Sequence, residues 1–191
     1  MIRIAVVGDI GCGKSHIAKL FGLPVFNADK EVGKLYKKNR RCYSKLKKAL
    51  PEYEISFPIN KNTLTKAILK NNYNIRKIVG IVHPEIRIKM NEFIKKNKSK
   101  KAIVLDIPLL MENKINKKND ILVFVEANKT EILKRLKRRV NFNKKVYKKF
   151  KKLQLSLEMK KKKSSFLIKN NFNNQLAKKN VKIVLDKILY D

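Results

Sequence analysis

Gly8, Gly11, Gly13, Lys14 and Ser15 stand together in the stretch GDIGCGKS, residues 8–15. Their spacing satisfies G-x-x-x-x-G-K-[ST], between an apolar run over 2–7 and a stretch that reads as helix from Lys14 to Phe21. The chemistry explains the pattern. Glycines let the backbone fold into a nest of N–H groups, and the helix N-terminus adds the positive end of its dipole. The lysine reaches the β- and γ-phosphates of a nucleoside triphosphate, and the serine hydroxyl ligates Mg2+. The expected nucleotide-binding residues are Gly8, Gly11, Cys12, Gly13, Lys14, Ser15 and His16, with Ser15 also on the metal. The loop specifies ATP or GTP and leaves the reaction open. Asp9 is expected to be a solvated turn aspartate pointing away from the phosphates, and Cys12 a small filler. A redox switch at Cys12 is the alternative, because a helix N-terminus lowers a thiol pKa.

Phosphoryl transfer to a small molecule needs three further parts: a base on the acceptor side, support for the metal, and mobile arginines over the transferred group. Asp29 follows the short strand pattern in PVFNAD, residues 24–29, and is the candidate base. Asp106 ends the strand pattern AIVLD and is placed to hold Mg2+ through water. Arg135, Arg138 and Arg139 share one face if residues 129–139 are helical, and that face can bridge phosphates. Each has a duller reading: a helix cap for Asp29, a turn carboxylate for Asp106, surface charge for the arginines.

The elements that must position these residues are short apolar runs alternating with helical spacing. Runs over 2–7, 24–29, 102–112, 120–127 and in SFLIKN read as five strands. Residues 30–50 read as a basic helix stopped by Pro51. The middle third reads as helix in two pieces up to Pro84, with a new helix opened by that proline. Residues 143–162 read as one helix with Val146, Phe150, Leu153 and Leu157 on one face, and a last helix carries Val181, Val184, Leu185, Ile188 and Leu189. Alternation of this kind implies an α/β fold with a parallel sheet and right-handed crossovers. The 191 residues are expected to form one domain, able to bury a core without staples.

Two cysteines, one of them inside the glycine loop, exclude a disulfide framework and fit a reducing cytoplasm. No run approaches the ~20 apolar residues of a membrane span, and the first residues lack the profile of a signal peptide. The expectation is a soluble, unprocessed, cytoplasmic protein with no membrane partner. The net charge of +33 suggests a polyanion partner, but only eight of the 48 basic residues are arginine and the lysines are spread through nearly every segment. Heavy use of Lys, Asn and Ile fits an A/T-rich genome, so no specific nucleic acid is expected.

Taken in order, VGDIGCGKS, VFNAD, VHPEIR, DIPLLMEN, LKRLKRR, Gln154 and FLIKNN resemble dephospho-CoA kinase over almost the whole chain. The glycine loop is shared by many families. His83-Pro84 followed by Pro108-Leu109-Leu110 and Glu112, at these distances, is specific. The resemblance implies a P-loop kinase core with a five-stranded parallel sheet flanked by helices, a helical substrate lobe at about 58–98 and a lid at about 139–163. It implies transfer of the γ-phosphoryl of ATP to the ribose 3′-hydroxyl of dephospho-CoA, the last step of coenzyme A synthesis, with Mg2+. It makes Asp29 the general base, Arg139 the lid arginine and Asn170 the asparagine near the adenine.

The chain departs from that pattern at several positions. Asp9 replaces the second glycine of the loop, and His16 stands where threonine is common. Lys61 and Lys160 replace arginines, Ser165 an aspartate and Phe172 a glycine. The lysines lose the arginine fork, which bears on substrate affinity. His83 is expected to be structural, and Glu112 either orients a loop or touches substrate. Two other readings stay open here: another small-molecule kinase of this type, such as a nucleoside monophosphate kinase, and a basic nucleic-acid-binding protein. The sequence sets no oligomeric state.

Overall fold

The computed structural model describes residues 1–140 and 142–190. Along the chain it begins β1 (Ile2–Gly8), α1 (Lys14–Leu20), β2 (Val25–Asn27), α2 (Ala28–Lys38), α3 (Arg40–Ala49), α4 (Lys61–Lys70) and α5 (Asn72–Lys96). It continues β3 (Ala102–Asp106), β4 (Ile121–Glu126), α6 (Lys129–Lys137), α7 (Lys144–Leu153), α8 (Leu157–Lys162), β5 (Phe166–Lys169) and α9 (Asn174–Tyr190). The chain divides into a sheet unit, residues 1–27, 97–143 and 149–191, and a helical unit, residues 28–96 and 144–148.

In the sheet unit the five strands are all parallel, in the order β2-β3-β1-β4-β5. A strand with neighbours on both sides and helices on both faces has no polar face to show, and β1 and β3 are accordingly near-continuous apolar runs. Ile4, Ala5, Val6, Ile103, Val104 and Leu105 have no exposed surface. An ion pair is buried with them. Arg3 on β1 donates from Nη2 to Asp120 Oδ2 at 3.1 Å; Nε lies 3.0 Å from Oδ1 but makes no hydrogen bond, so the carboxylate just before β4 pairs with the guanidinium through one hydrogen bond. Asp120 also accepts from Lys117 N at 2.9 Å.

The helical unit is organised by α5, whose Ile75, Ile78, Val82, Ile86 and Met90 recur every three or four residues and are buried. Pro84 lies inside α5 rather than at the start of a new helix. The carbonyl that a proline at this position cannot serve belongs to Gly80, and both residues are exposed, so that carbonyl is open to solvent and the helix runs on. The basic helix expected over 30–50 is two helices, because Asn39 caps α3 by accepting from Cys42 N at 2.7 Å.

The expected single helix over 143–162 is likewise divided. Ser156 caps α8, accepting from Met159 N at 3.1 Å, and Leu153 and Leu157, expected on a packed face, are 46 % and 37 % exposed. No described helix is long and apolar enough to cross a membrane.

Asp120→Ala would leave Arg3 buried without its counter-charge. The expected loss is about 3–5 kcal/mol of folding stability, read from the urea midpoint at unchanged slope. A loss below ~1 kcal/mol would place this pair with ordinary surface bridges.

Candidate active site

The glycine loop joins β1 to α1, and its glycines are required by what lies against them. Gly8 has φ +147°, and a side chain there would put Cβ 2.6 Å from the Val125 carbonyl of β4. Gly13 has φ +93°, and its Cβ would run into Nδ2 of Asn170. Gly11, at φ +87°, completes the turn. Lys14 folds back over the loop, donating from Nζ to the Asp9 carbonyl at 2.6 Å and towards that of Gly8 at 3.4 Å. Ser15 and His16 are exposed at the mouth of the loop, while Cys12 is buried. A strand–loop–helix of this geometry, with its lysine on backbone carbonyls, has the form of an anion cradle.

Beside it lie the ends of two strands. Asn27 of β2 is in register with Asp106 of β3, and its Nδ2 donates to Asp106 Oδ2 and approaches Ser15 Oγ at 3.5 Å. Asp106 is 2 % exposed. No cluster of three or more His, Cys, Asp or Glu suited to a metal is found among the described residues. That donor set fits Mg2+ held mostly by phosphate and water oxygens, with one hydroxyl and one carboxylate from the protein. Asn27 was not assigned a role from sequence. The signal available was its place two residues before Asp29 at a strand end.

The remaining candidates are spread more widely. Asn170 is buried; its Nδ2 donates to the Cys12 carbonyl at 2.8 Å and its Oδ1 accepts from Phe172 N at 3.0 Å. Phe172 takes φ +64°, a conformation that costs a non-glycine residue about 1–2 kcal/mol, and the Arg135 guanidinium stacks 4.4 Å from its ring centroid. The shared helix face expected of Arg135, Arg138 and Arg139 is not formed. α6 ends at Lys137, Arg138 is its cap, and Arg139 lies exposed in the following turn. Asp29 belongs to the helical unit, exposed in the first turn of α2 rather than at its cap.

Asp9 is not the solvated aspartate expected. It is 7 % exposed, and its Oδ1 accepts from Ile10 N at 2.6 Å and Lys151 Nζ at 2.5 Å. Glu112 accepts from Leu155 N at 3.0 Å and pairs with the buried Lys160 at 2.6 Å, so it fixes the linker between α7 and α8. Lys160 is thereby occupied structurally. His83, within the helical unit, is pulled below its ordinary pKa by burial and then by Arg87, which leaves it neutral at pH 7.

Burial pushes the Cys12 thiol up despite the neighbouring Lys14, and burial pushes Cys42 up to about 11. Both cysteines should react with iodoacetamide at pH 7 at a small fraction of the rate of the unfolded chain. Fast native labelling of Cys12 that ATP suppresses would restore the redox reading.

Comparison with known proteins shows the family and the fold. The dephospho-CoA kinase family model matches residues 2–176. Dephospho-CoA kinase of Wolbachia pipientis wMel is 33 % identical over 190 residues, covering 97 % of each chain, and that of Bartonella henselae 30 % identical over 191 residues with the same coverage. The solved dephospho-CoA kinase from Campylobacter jejuni superposes with a TM-score of 0.66 at 23 % identity, over 99 % of this chain and 98 % of that one, and so shares the fold. A phosphate loop at the centre of a five-stranded parallel sheet, with that match over 2–176, places this chain in the dephospho-CoA kinase family.

Proposed function

We infer that this protein transfers the γ-phosphoryl group of ATP to the ribose 3′-hydroxyl of dephospho-CoA, giving coenzyme A and ADP. The observation that carries the site assignment is the convergence of Ser15, Asn27 and Asp106 beside a loop whose lysine rests on exchangeable carbonyl contacts. In this reading Lys14 leaves the Asp9 carbonyl for the β- and γ-phosphates, and the loop N–H groups hold the β-phosphate. Ser15 directly, and Asp106 through water, would hold Mg2+, which when bound offsets charge on the β- and γ-oxygens. Asn27, whose Nδ2 reaches both the Asp106 carboxylate and Ser15 Oγ, links the two.

Asp29 is assigned the acceptor side. A ribose hydroxyl is a weak nucleophile at neutral pH. A carboxylate in hydrogen-bond reach orients it and takes its proton as the new P–O bond forms and the bond to ADP breaks. Asp29 follows Asn27 by two residues in the sequence and is exposed in the first turn of α2. Arg139, exposed and without a carboxylate partner among the described residues, is assigned to the transferring phosphoryl group as part of a lid at about 139–163. Asn170 is assigned to the adenine side and the helices within about 58–98 to the CoA moiety. The enzyme is proposed to be cytoplasmic.

Asp29→Asn keeps the size and a hydrogen-bonding oxygen but cannot take the proton as a carboxylate does. Single-turnover transfer should fall by about 10²–10⁴-fold with ATP affinity nearly unchanged. Wild-type turnover in this variant would leave Asp29 a helix residue and make Asp106 the carboxylate to test next.

A further inference from the structure

Asp9 puts a carboxylate into a loop built for a polyanion, at a position where the family pattern has glycine. The side chain does two things there. It takes up the Ile10 N–H at 2.6 Å, a donor the loop would otherwise have free, and it brings a full negative charge into the cradle. The same residue carries Lys14 on its carbonyl at 2.6 Å. What offsets the carboxylate comes from α7: Lys151 Nζ lies 2.5 Å from Oδ1, the two side chains being 36 % and 10 % exposed. The surrounding groups orient the Gln154 amide so that its nitrogen donates to Asp9 Oδ1 at 3.2 Å and its oxygen accepts from Lys160 Nζ at 3.3 Å. Lys160 in turn pairs with Glu112. Two carboxylates and two ammonium groups are thus paired across the phosphate loop, α7, α8 and the segment after β3.

We propose that Lys151 is a positioning residue for ATP, whose task is to neutralise Asp9 and hold its carboxylate against α7, so that the loop meets the triphosphate with Lys14 unopposed. This rests on the reading of the loop as the ATP site. Lys151 need not touch the nucleotide. Its importance is conditional: it matters because residue 9 is aspartate, and removing that charge should remove the need for it.

The test is a double-mutant cycle on the full-length protein, with ATP affinity read by calorimetry and steady-state kinetics beside it. Lys151→Met should weaken ATP binding about tenfold or more, because an uncompensated charge a few ångströms from a polyanion acts at an effective dielectric near ~20. The KM for dephospho-CoA should change far less. Lys151→Arg should retain affinity, and Asp9→Asn combined with Lys151→Met should recover most of what Lys151→Met lost. Wild-type affinity in Lys151→Met overturns the proposal. So does a loss that Asp9→Asn fails to relieve, which would assign Lys151 to the nucleotide itself or to holding α7. Should Lys151→Met not fold, the comparison moves to Asp9→Asn with and without Lys151→Met: equal affinities support the proposal and a loss in the double variant overturns it. Lys14→Ala separates the two levels. If it too binds ATP normally, the loop is not the ATP site; if it fails while Lys151→Met binds normally, only the role of Lys151 is lost.

Discussion

The close approach of two neighbours to the glycine loop is the constraint from which the site follows. The Val125 carbonyl at the end of β4 leaves no room for a side chain on Gly8, and the Asn170 amide just after β5 leaves none on Gly13. The loop is therefore clamped from the strands on one side of β1. On the other, the register of β2 with β3 sets Asn27 beside Asp106, and Asn27 Nδ2 comes within 3.5 Å of Ser15 Oγ. A parallel sheet gathers its carboxyl ends at one edge, and a loop pinned at that edge has its N–H groups set before any ligand arrives. Preorganisation of this kind suits phosphoryl transfer, where positioning and charge stabilisation are most of what a protein supplies.

Charge is the second organising fact. With 48 basic and 15 acidic residues, a carboxylate in this chain is seldom far from a cation. Asp9, Glu112, Asp120 and Glu126 all take a lysine or arginine partner. Only the first three are pairs in which at least one side chain is well buried, and there a lone charge would be costly. The exposed lysines form a diffuse positive field that favours anionic nucleotides kinetically and adds little to the fold.

Much of this was legible in the sequence because it depends on local patterns. The strand–loop–helix of residues 2–20, the five apolar runs and the specific His-Pro and Pro-Leu-Leu-x-Glu stretches carry the sheet and the family. What the sequence hid lies in contacts between distant segments. Asp9 read as solvated because its partner Lys151 is one of many lysines on α7, and nothing in a lysine-rich helix marks which one turns inward. The apolar spacing of Val146, Phe150, Leu153 and Leu157 alone made 143–162 read as one helix, and the Ser156 cap that divides it shows only in the structure. Pro84 read as a helix start because proline is favoured in a helix's first turn, whereas here it lies inside α5, where the unserved Gly80 carbonyl is exposed. The arginine face failed because α6 ends at Lys137, two residues short of the expected end.

Membership of the dephospho-CoA kinase family makes the acceptor the 3′-hydroxyl of a CoA precursor. The most direct measurement is ADP release with dephospho-CoA and with a panel of nucleoside monophosphates, together with identification of the phosphorylated product. The account predicts rapid ADP formation with dephospho-CoA and coenzyme A as the product, and only background turnover with AMP, CMP, GMP and UMP. Turnover of a nucleoside monophosphate with none of dephospho-CoA would contradict it.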